Sequence, residues 1–171
     1  MRVAVTGTPG TGKTTATERL DTDLDVLHLN DVIKEEGFST GIDEDRGSLV
    51  ADLDKLSEWL DGRDDVLFES HLAHHFAADR VIVLRAHPET IVERLRGRGD
   101  DDSKAYENAE SEALDVILGE AVEEHGMESV YEIETTDRDP DEVASEIRAV
   151  VDGEREPVRA PSPTSTGYDA R

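Results

Sequence analysis

The stretch Gly7-Thr8-Pro9-Gly10-Thr11-Gly12-Lys13-Thr14 decides the fold, because it places a glycine-rich turn between an apolar strand and a helix. It is a complete P-loop pattern. Its glycines allow backbone N–H groups to converge on phosphate oxygens, Lys13 brings positive charge to the β- and γ-phosphates, and the Thr14 hydroxyl can bind Mg²⁺. Residues 3–5 are typical of a buried strand, and residues 14–20 of a helix whose N-terminus faces the phosphates. The sequence therefore predicts a nucleoside triphosphate site near its start.

The composition limits the class of protein. A chain of 171 residues suits one α/β domain with a proper core. No apolar run approaches the length of a membrane span, and no leader is recognisable, so we expect a soluble cytoplasmic protein without a membrane partner. The absence of cysteine excludes disulfides, thiolate metal sites and cysteine nucleophiles.

The charge balance is strongly acidic. The chain has 42 Asp and Glu against 18 Lys and Arg, a formal net charge of −24, and only four of the cations are lysines. This composition resembles that of halophilic proteins from salt-rich cytoplasms, where abundant cations screen carboxylate repulsion. An acidic protein of an ordinary cytoplasm is the alternative. Either way, the charge argues against strong direct binding to nucleic acid, although a local basic patch could still bind RNA.

The order of elements predicts the architecture. Apolar runs predict parallel strands at 3–5, 26–29, 66–68, 81–84 and 130–133. Helical spacing predicts helices at 14–20, 32–36 with Asp31 as N-cap, 51–60, from Pro88, 103–124 and 140–151, whereas 38–48 is expected to be a mobile loop. We therefore predict an α/β fold of the three-layer P-loop NTPase kind, with a five-stranded parallel sheet and helices on both faces.

Polar residues follow the predicted strand 66–68 at once, as Glu69-Ser70-His71. The carboxyl ends of parallel strands are where open α/β sheets place their chemistry. His74 and His75 come next, but no thiolate or H-E-x-x-H pattern accompanies them, so we expect no zinc site there. Strand-end capping and a structural histidine remain the alternatives for Glu69 and His71.

The P-loop alone does not name a reaction. The base-reading Asn-Lys-x-Asp element of GTPases is missing. ABC and AAA-type ATPases are larger machines with further motifs, so they fit poorly with so short a chain. Small phosphoryl-transfer kinases remain, in which the phosphate acceptor is another small molecule.

An ordered set of motifs makes the prediction more specific. The set comprises the P-loop at 7–14, Asn-Asp-Val-Ile-Lys-Glu-Glu at 30–36, Glu-Ser-His at 69–71, Val-Ile-Val-Leu-Arg at 81–85 and Glu-Arg-Leu-Arg-Gly-Arg-Gly at 93–99. It is similar to the archaeal and nuclear adenylate kinase isoenzyme 6 family, over about residues 1–151. The resemblance implies a broad-specificity nucleoside monophosphate kinase, with ATP and AMP as substrates. It also implies an ATPase role in small ribosomal subunit and rRNA maturation, through transient binding of a ribosomal protein of the uS-eleven type.

The resemblance also implies roles for particular positions. Segment 28–51 would close over the monophosphate, with Asp31 and Lys34 near its entrance, and segment 97–107 would be the lid over ATP. The ATP-phosphate cradle would consist of Gly10, Gly12, Lys13, Thr14 and Thr15, with Arg98 contacting ATP from the lid. A solvated helix end favourable to the helix dipole is the alternative for the arginines 94, 96 and 98.

The catalytic residues implied are Lys13, Glu69, His71 and Arg98, with Thr14 and Glu69 holding Mg²⁺. The Asp-x-His signature of the family reads Glu69-Ser70-His71 here, so the carboxylate reaches one methylene further and would organise the ion through a water. His71 would orient the attacking water or the acceptor.

Two features leave alternatives open. Segment 28–51 carries only Lys34 and Arg46 as cations, so a kinase of another small metabolite remains possible, with Arg80 and Arg85 as further candidates for gripping its phosphate. Residues 1–153 are expected to form the kinase domain, and 154–171, rich in Pro, Ser and Thr, a disordered tail. A partner-binding arm is the alternative for the tail.

Overall fold

The computed structural model describes residues 1–43 and 48–158, and a five-stranded parallel sheet forms its centre. The strands are β1 (Arg2–Gly7), β2 (Asp25–His28), β3 (Ser39–Asp43), β4 (Ser48–Ala51), β5 (Val66–Glu69), β6 (Arg80–Arg85) and β7 (Val130–Glu134). The helices are α1 (Lys13–Glu18), α2 (Leu29–Glu36), α3 (Leu53–Leu60), α4 (Pro88–Gly97), α5 (Asp102–Ala113), α6 (Val116–His125) and α7 (Pro140–Val151). The central sheet has the order β2-β5-β1-β6-β7, and β3 and β4 form a separate antiparallel hairpin.

Alternation along the central strands creates two cores. Side chains of a strand point alternately to opposite faces, and a parallel sheet buries both. On β1, Val3 and Val5 pack with α1 and α7, whereas Ala4 packs with α2, α3 and α6. The predicted three-layer fold, with helices on both faces of a five-stranded parallel sheet, is therefore confirmed.

A third cluster joins α4 to α5. Ile91, Leu95, Ala105 and Ala109 are its buried members. This pair packs against the P-loop: a Cβ at Gly10 would lie 3.2 Å from the Leu95 side chain. The first two turns of α5 belong to the segment expected to be a lid, so that segment is anchored directly beside the phosphate loop.

The expected loop at 38–48 is instead largely a hairpin. β3 and β4 pair with each other, and the Asp52 N–H donates to the Phe38 carbonyl at 2.9 Å to close the base. Ile42 and Val50 are 66% and 45% exposed. Because these two apolar side chains are exposed, the sequence shows no alternation of buried apolar and exposed polar residues around them. Residues 44–47, with the candidate cation Arg46, lie outside the described residues.

Two helix predictions were wrong in their boundaries. α2 begins at Leu29, so Asp31 lies in its first turn and is not the N-cap. An acidic residue there still favours the helix, through the positive end of its dipole. The helix predicted at 103–124 divides into α5 and α6 at Asp115, whose φ of 54° is left-handed. Aspartate tolerates that conformation better than most residues, which a search for helical spacing does not detect.

The start of the expected disordered tail has defined contacts. The Val158 N–H donates to the Val130 carbonyl at 2.7 Å, and the Arg155 guanidinium donates to the Glu132 carbonyl at 2.6 Å. Residues 154–158 therefore lie against the edge strand β7, while 159–171 lie outside the described residues. None of the helices described here is long and apolar enough to cross a membrane.

Candidate active site

The P-loop has the backbone geometry its glycines predict. Gly10 and Gly12 take φ values of 95° and 85°, a left-handed region in which other residues are strained. The Thr11 N–H and hydroxyl both donate to the Thr8 carbonyl, at 3.2 and 2.8 Å. Gly12 then leads directly into α1. The loop thus curls around a space at the helix N-terminus, where backbone N–H groups favour an anion.

Lys13 is buried inside this curl, with 8% of its surface exposed. Its ammonium donates to the carbonyls of Gly7 and Thr8 at 2.9 and 3.3 Å. The pKa of Lys13 is lowered to about 8, chiefly by burial; the negative charge of Glu69 opposes this shift and the positive charge of Arg98 adds to it. A buried ammonium that donates to neutral carbonyls gains greatly from an anion, so Lys13 is suited to bind phosphate.

Glu69 lies opposite, at the end of β5, and is 3% exposed. Its Oε1 accepts a hydrogen bond from the Thr14 hydroxyl at 3.0 Å and lies 2.7 Å from His28 Nδ1. A hydroxyl and a carboxylate are oxygen donors of the kind that Mg²⁺ prefers. The pair therefore fits a magnesium ion at the edge of the phosphate space. The role of His28 could not be predicted from the sequence, because His28 reaches Glu69 only in the folded sheet, where β2 pairs with β5.

His71 lines the same cavity, two residues beyond the end of the strand. Burial, followed by the positive charge of Lys13, lowers the pKa of His71 to about 4. The imidazole is therefore neutral at pH 7 and can accept a hydrogen bond. Its backbone is held in place because the Ser70 N–H donates to the Val5 carbonyl at 3.1 Å.

A cavity of about 1150 Å³ joins most of the residues expected from sequence. Those that line it are Gly10, Gly12, Lys13, Thr14, Thr15, Lys34, Glu69, His71 and Arg98. Asp31 is not among the lining residues and lies on the exposed side of α2. Its neighbour Asn30 lines the cavity instead, and its Oδ1 accepts a hydrogen bond from the Ser70 hydroxyl at 3.1 Å.

The lid candidate Arg98 lies at the rim of this cavity. Its Nε donates to Asp100 Oδ2 at 2.9 Å, and 57% of its side chain is exposed. Lys104, from the first turn of α5, lines the cavity on the same side. Segment 97–107 thus brings two cations to the space into which the P-loop opens.

Arg94 supports the P-loop from behind, a role that the sequence did not indicate. Its guanidinium donates to the Gly10 carbonyl at 3.1 Å and to the Thr135 carbonyl at 3.0 Å. The Thr135 hydroxyl in turn donates to the Thr11 carbonyl at 3.1 Å. The solvated-helix-end interpretation is therefore wrong for Arg94, whose contacts come from residues distant in sequence.

Glu112 joins the P-loop to α5. It is 4% exposed, and it accepts hydrogen bonds from the Thr8 hydroxyl at 3.3 Å, the Ala86 N–H at 2.8 Å and Arg85 Nε at 3.1 Å. Arg85 also pairs with Asp115. Arg80, the other candidate phosphate ligand on β6, donates to the Val150 carbonyl. Both arginines are therefore engaged in structural contacts.

Several proteins of known sequence are similar to this chain. Residues 3–115 match a family model described as an AAA domain, although the chain was expected to fit the larger AAA-type ATPases poorly. A Natronomonas pharaonis protein named "Putative adenylate kinase" is 65% identical over 157 residues, covering 92% of this chain and 94% of that protein. A Halobacterium salinarum protein of the same name is 62% identical over 158 residues, with 92% and 94% covered.

Solved structures agree on the fold. Shikimate kinase from Bacteroides thetaiotaomicron superposes with a TM-score of 0.57 at 17% identity, covering 89% of this chain and 98% of that chain. Identity this low carries the architecture alone. The overall α/β fold is thus shared with a solved kinase.

Proposed function

The chain belongs to the adenylate kinase family represented by these relatives, and on that premise we propose that it transfers the γ-phosphoryl group of ATP to AMP, giving two ADP. Other nucleoside monophosphates would serve as poorer acceptors. The observation that carries the proposal is the single cavity lined by Lys13, Glu69 and Arg98 together with Lys34. A donor and an acceptor can both fit in a space of about 1150 Å³.

Phosphoryl transfer requires positive charge around the phosphates rather than a covalent intermediate with the protein. In phosphoryl transfer, negative charge spreads over the equatorial oxygens, so catalysis consists of positioning and cationic stabilisation. Lys13 supplies buried positive charge beside the P-loop N–H groups, with Gly10, Gly12 and Thr15 shaping the cradle. Arg98 supplies a second charge from the rim. Mg²⁺, when bound, would add positive charge at the phosphates, held by Thr14 and Glu69.

The segments on either side of the cavity supply the acceptor site and the cover. We assign the monophosphate to segment 28–51, where Lys34 and Asn30 line the cavity. Asp31, on the exposed side of α2, would act on Lys34 and the helix dipole rather than on the acceptor. Segment 97–107 would close over ATP and exclude the water that competes with AMP. Residues 1–153 form the catalytic unit in this proposal.

A second activity on the same site would be ATP hydrolysis, within the isoenzyme 6 branch of the family. The neutral ring of His71 is the feature that favours it, because an uncharged imidazole can orient and accept a proton from an attacking water. ATP binding and hydrolysis would then control transient association with a small-subunit ribosomal protein of the uS-eleven type, during rRNA maturation. The acidic surface suits a basic partner.

The two activities can be separated at His71. We expect His71→Ala to lower ATP hydrolysis in the absence of AMP by about 10²-fold, while AMP-dependent ADP formation falls by less than about 10-fold. Nucleotide-dependent release of the ribosomal protein should be lost with the hydrolysis. The exposed His87→Gln is the matched control. Equal losses of hydrolysis and transfer would contradict the separate role of His71.

An acceptor panel tests the main proposal. Purified protein is supplied with ATP, Mg²⁺ and, in turn, AMP, other nucleoside monophosphates, and small phosphorylatable metabolites. We expect AMP to give the highest kcat/KM. The second candidate, a kinase of another small metabolite, is favoured by the scarcity of cations in segment 28–51, where Lys34 and Arg46 are the only ones. A non-nucleotide acceptor with a higher kcat/KM than AMP would support this second candidate.

We also attribute the acidic surface to adaptation to high salt. Screening shortens from about 10 Å at 0.1 M salt to about 3 Å at 1 M, which weakens repulsion among the 42 carboxylates. If screening adds roughly 3 kcal/mol, the Tm rises by roughly 6 to 12 °C between these KCl concentrations. Thermal unfolding followed by circular dichroism measures this shift. An unchanged Tm would favour an acidic protein of an ordinary cytoplasm.

A further inference from the structure

Two histidines and a glutamate, which the proposed phosphoryl transfer does not use, converge at one side of the same cavity. His74 and His75 belong to a short 3-10 turn, Ala73–His75, that follows β5. Glu120 approaches them from α6, with its Oε2 at 3.1 Å from His74 Nε2 and 3.5 Å from His75 Nε2. The three donor atoms lie within 4.8 Å of one another. An ion placed between these three atoms would therefore be close to all of them.

The far side of each ring already has a partner. His74 Nδ1 lies 2.7 Å from the Thr6 hydroxyl, and His75 Nδ1 lies 2.9 Å from Glu124 Oε1. A carboxylate can only accept, so the proton of a neutral His75 is held at Nδ1, facing Glu124. Its Nε2 then presents a lone pair towards the carboxylate of Glu120. Two acceptors that face each other repel unless a cation lies between them.

This arrangement matches the outer contacts of metal-binding histidines. A histidine that binds a metal through one nitrogen commonly donates its other N–H to a carboxylate or another oxygen, which fixes the ring and raises its basicity. Glu124 would be the outer acceptor for the Nδ1–H of His75, and the Thr6 hydroxyl would be the outer acceptor for that of His74. The buried His74 carbonyl also accepts a hydrogen bond from His125 Nε2 at 2.6 Å, which fixes the turn.

We propose that His74 Nε2, His75 Nε2 and Glu120 Oε2 bind one divalent transition-metal ion, with Zn²⁺ the best match. Two imidazoles and a carboxylate suit Zn²⁺, whereas Mg²⁺ prefers an all-oxygen set such as Thr14 and Glu69. All three residues line the main cavity, so the ion can enter, and its fourth position is left to a water. The sequence alone predicted no zinc site here, because the third donor, Glu120, lies on α6 and is far from the two histidines along the chain.

The consequence of binding is structural. The ion would fasten α6 to the turn after β5, and that turn continues directly from His71. An ion bound only by the folded chain stabilises it in proportion to its concentration over its dissociation constant. The site is therefore expected to raise the Tm of the protein when ZnCl₂ is added, and to do so without nucleotide.

The test uses metal-stripped protein dialysed against ZnCl₂ without nucleotide, with bound zinc counted per chain. We expect one zinc per chain in the parent and in His87→Gln, which removes an exposed histidine outside the cluster. His75→Asn and Glu120→Gln should each weaken binding by about 10²-fold or more, and Glu124→Gln by about 10- to 100-fold. Melting without zinc checks that each variant is folded; Glu120→Gln keeps the shape and an acceptor oxygen.

Cobalt supplies a second measurement, because Co²⁺ bound by imidazole acquires visible absorption. The spectrum should appear in the parent and in His87→Gln, and be lost in Glu120→Gln. Parent protein that retains no stoichiometric zinc would overturn the proposal and leave the three residues as partners of one another. Zinc bound equally by the parent, His75→Asn and Glu120→Gln would overturn it too, since the ion would then be elsewhere on the acidic surface.

Discussion

Lys13→Ala is expected to lower AMP-dependent ADP formation by about 10³-fold, the upper range for removing one preorganised stabilising group. The ammonium lies within the curl of the P-loop, where it donates hydrogen bonds to the carbonyls of Gly7 and Thr8. Burial holds its pKa at about 8, which means that the folded chain bears a cost for the charge. That cost is useful only if an anion binds there, and a fixed ammonium can stabilise the charge that is redistributed over the phosphate oxygens in the transition state.

The control for this variant is Lys55→Ala. Lys55 is exposed on α3, and its described hydrogen bond, to Asp52, uses the backbone N–H and survives the substitution. Both variants should remain folded, because Lys55 is exposed and because Lys13→Ala relieves the cost of a buried charge while it removes the attraction to Glu69. Thermal melting of both variants checks this. The measurement is kcat for ADP formation at saturating AMP. If the kcat of Lys13→Ala were within a few-fold of the kcat of Lys55→Ala, the P-loop lysine would have no catalytic role.

Glu69→Gln is expected to lower the same rate by about 10²-fold and to raise the Mg²⁺ concentration needed for half-maximal rate. The substitution keeps the size of the side chain and an oxygen for the Thr14 hydroxyl, but removes the negative charge that a cation needs. Glu69→Asp keeps the charge and shortens the reach by one methylene. It should therefore retain more activity than Glu69→Gln, although its carboxylate can no longer contact both Thr14 and His28 as closely.

The control for the glutamate variants is Glu89→Gln, an exposed change in the first turn of α4. Its kinetics should match the parent. Mg²⁺ titrations of all four proteins at fixed ATP measure the effect. If Glu69→Gln and Glu89→Gln showed the same magnesium dependence, Glu69 would have a structural role only, as a partner of His28.

The sequence predicted the central sheet because burial leaves a clear pattern there. Residues of β1 and β6 are apolar on both faces, which only a strand covered by two helix layers requires. The hairpin β3–β4 lacks such a pattern, since it pairs with itself and leaves Ile42 exposed. The break between α5 and α6 depends on the backbone angle of one residue, Asp115. Local conformations of this kind have weak sequence signals.

The site divides in a similar way. The cradle from Gly10 to Thr15 was predictable because it is contiguous, so that spacing alone gives its geometry. Arg94, Thr135 and Glu112 were not, because they reach the loop from α4, β7 and α5. At the start of α2, the cavity is lined by Asn30 rather than by its neighbour Asp31, a distinction that depends on the position of the helix and not on the motif.

The path of the γ-phosphoryl group can be followed directly with a label. ATP labelled in its γ-phosphate is incubated with protein, Mg²⁺ and AMP at high KCl, and the products are separated. The proposed function predicts that most of the label appears in ADP newly formed from AMP, and that omitting AMP reduces label release to the slower hydrolysis rate. Label found only in inorganic phosphate, at a rate that AMP does not change, would contradict the claim that this cavity serves an acceptor nucleotide.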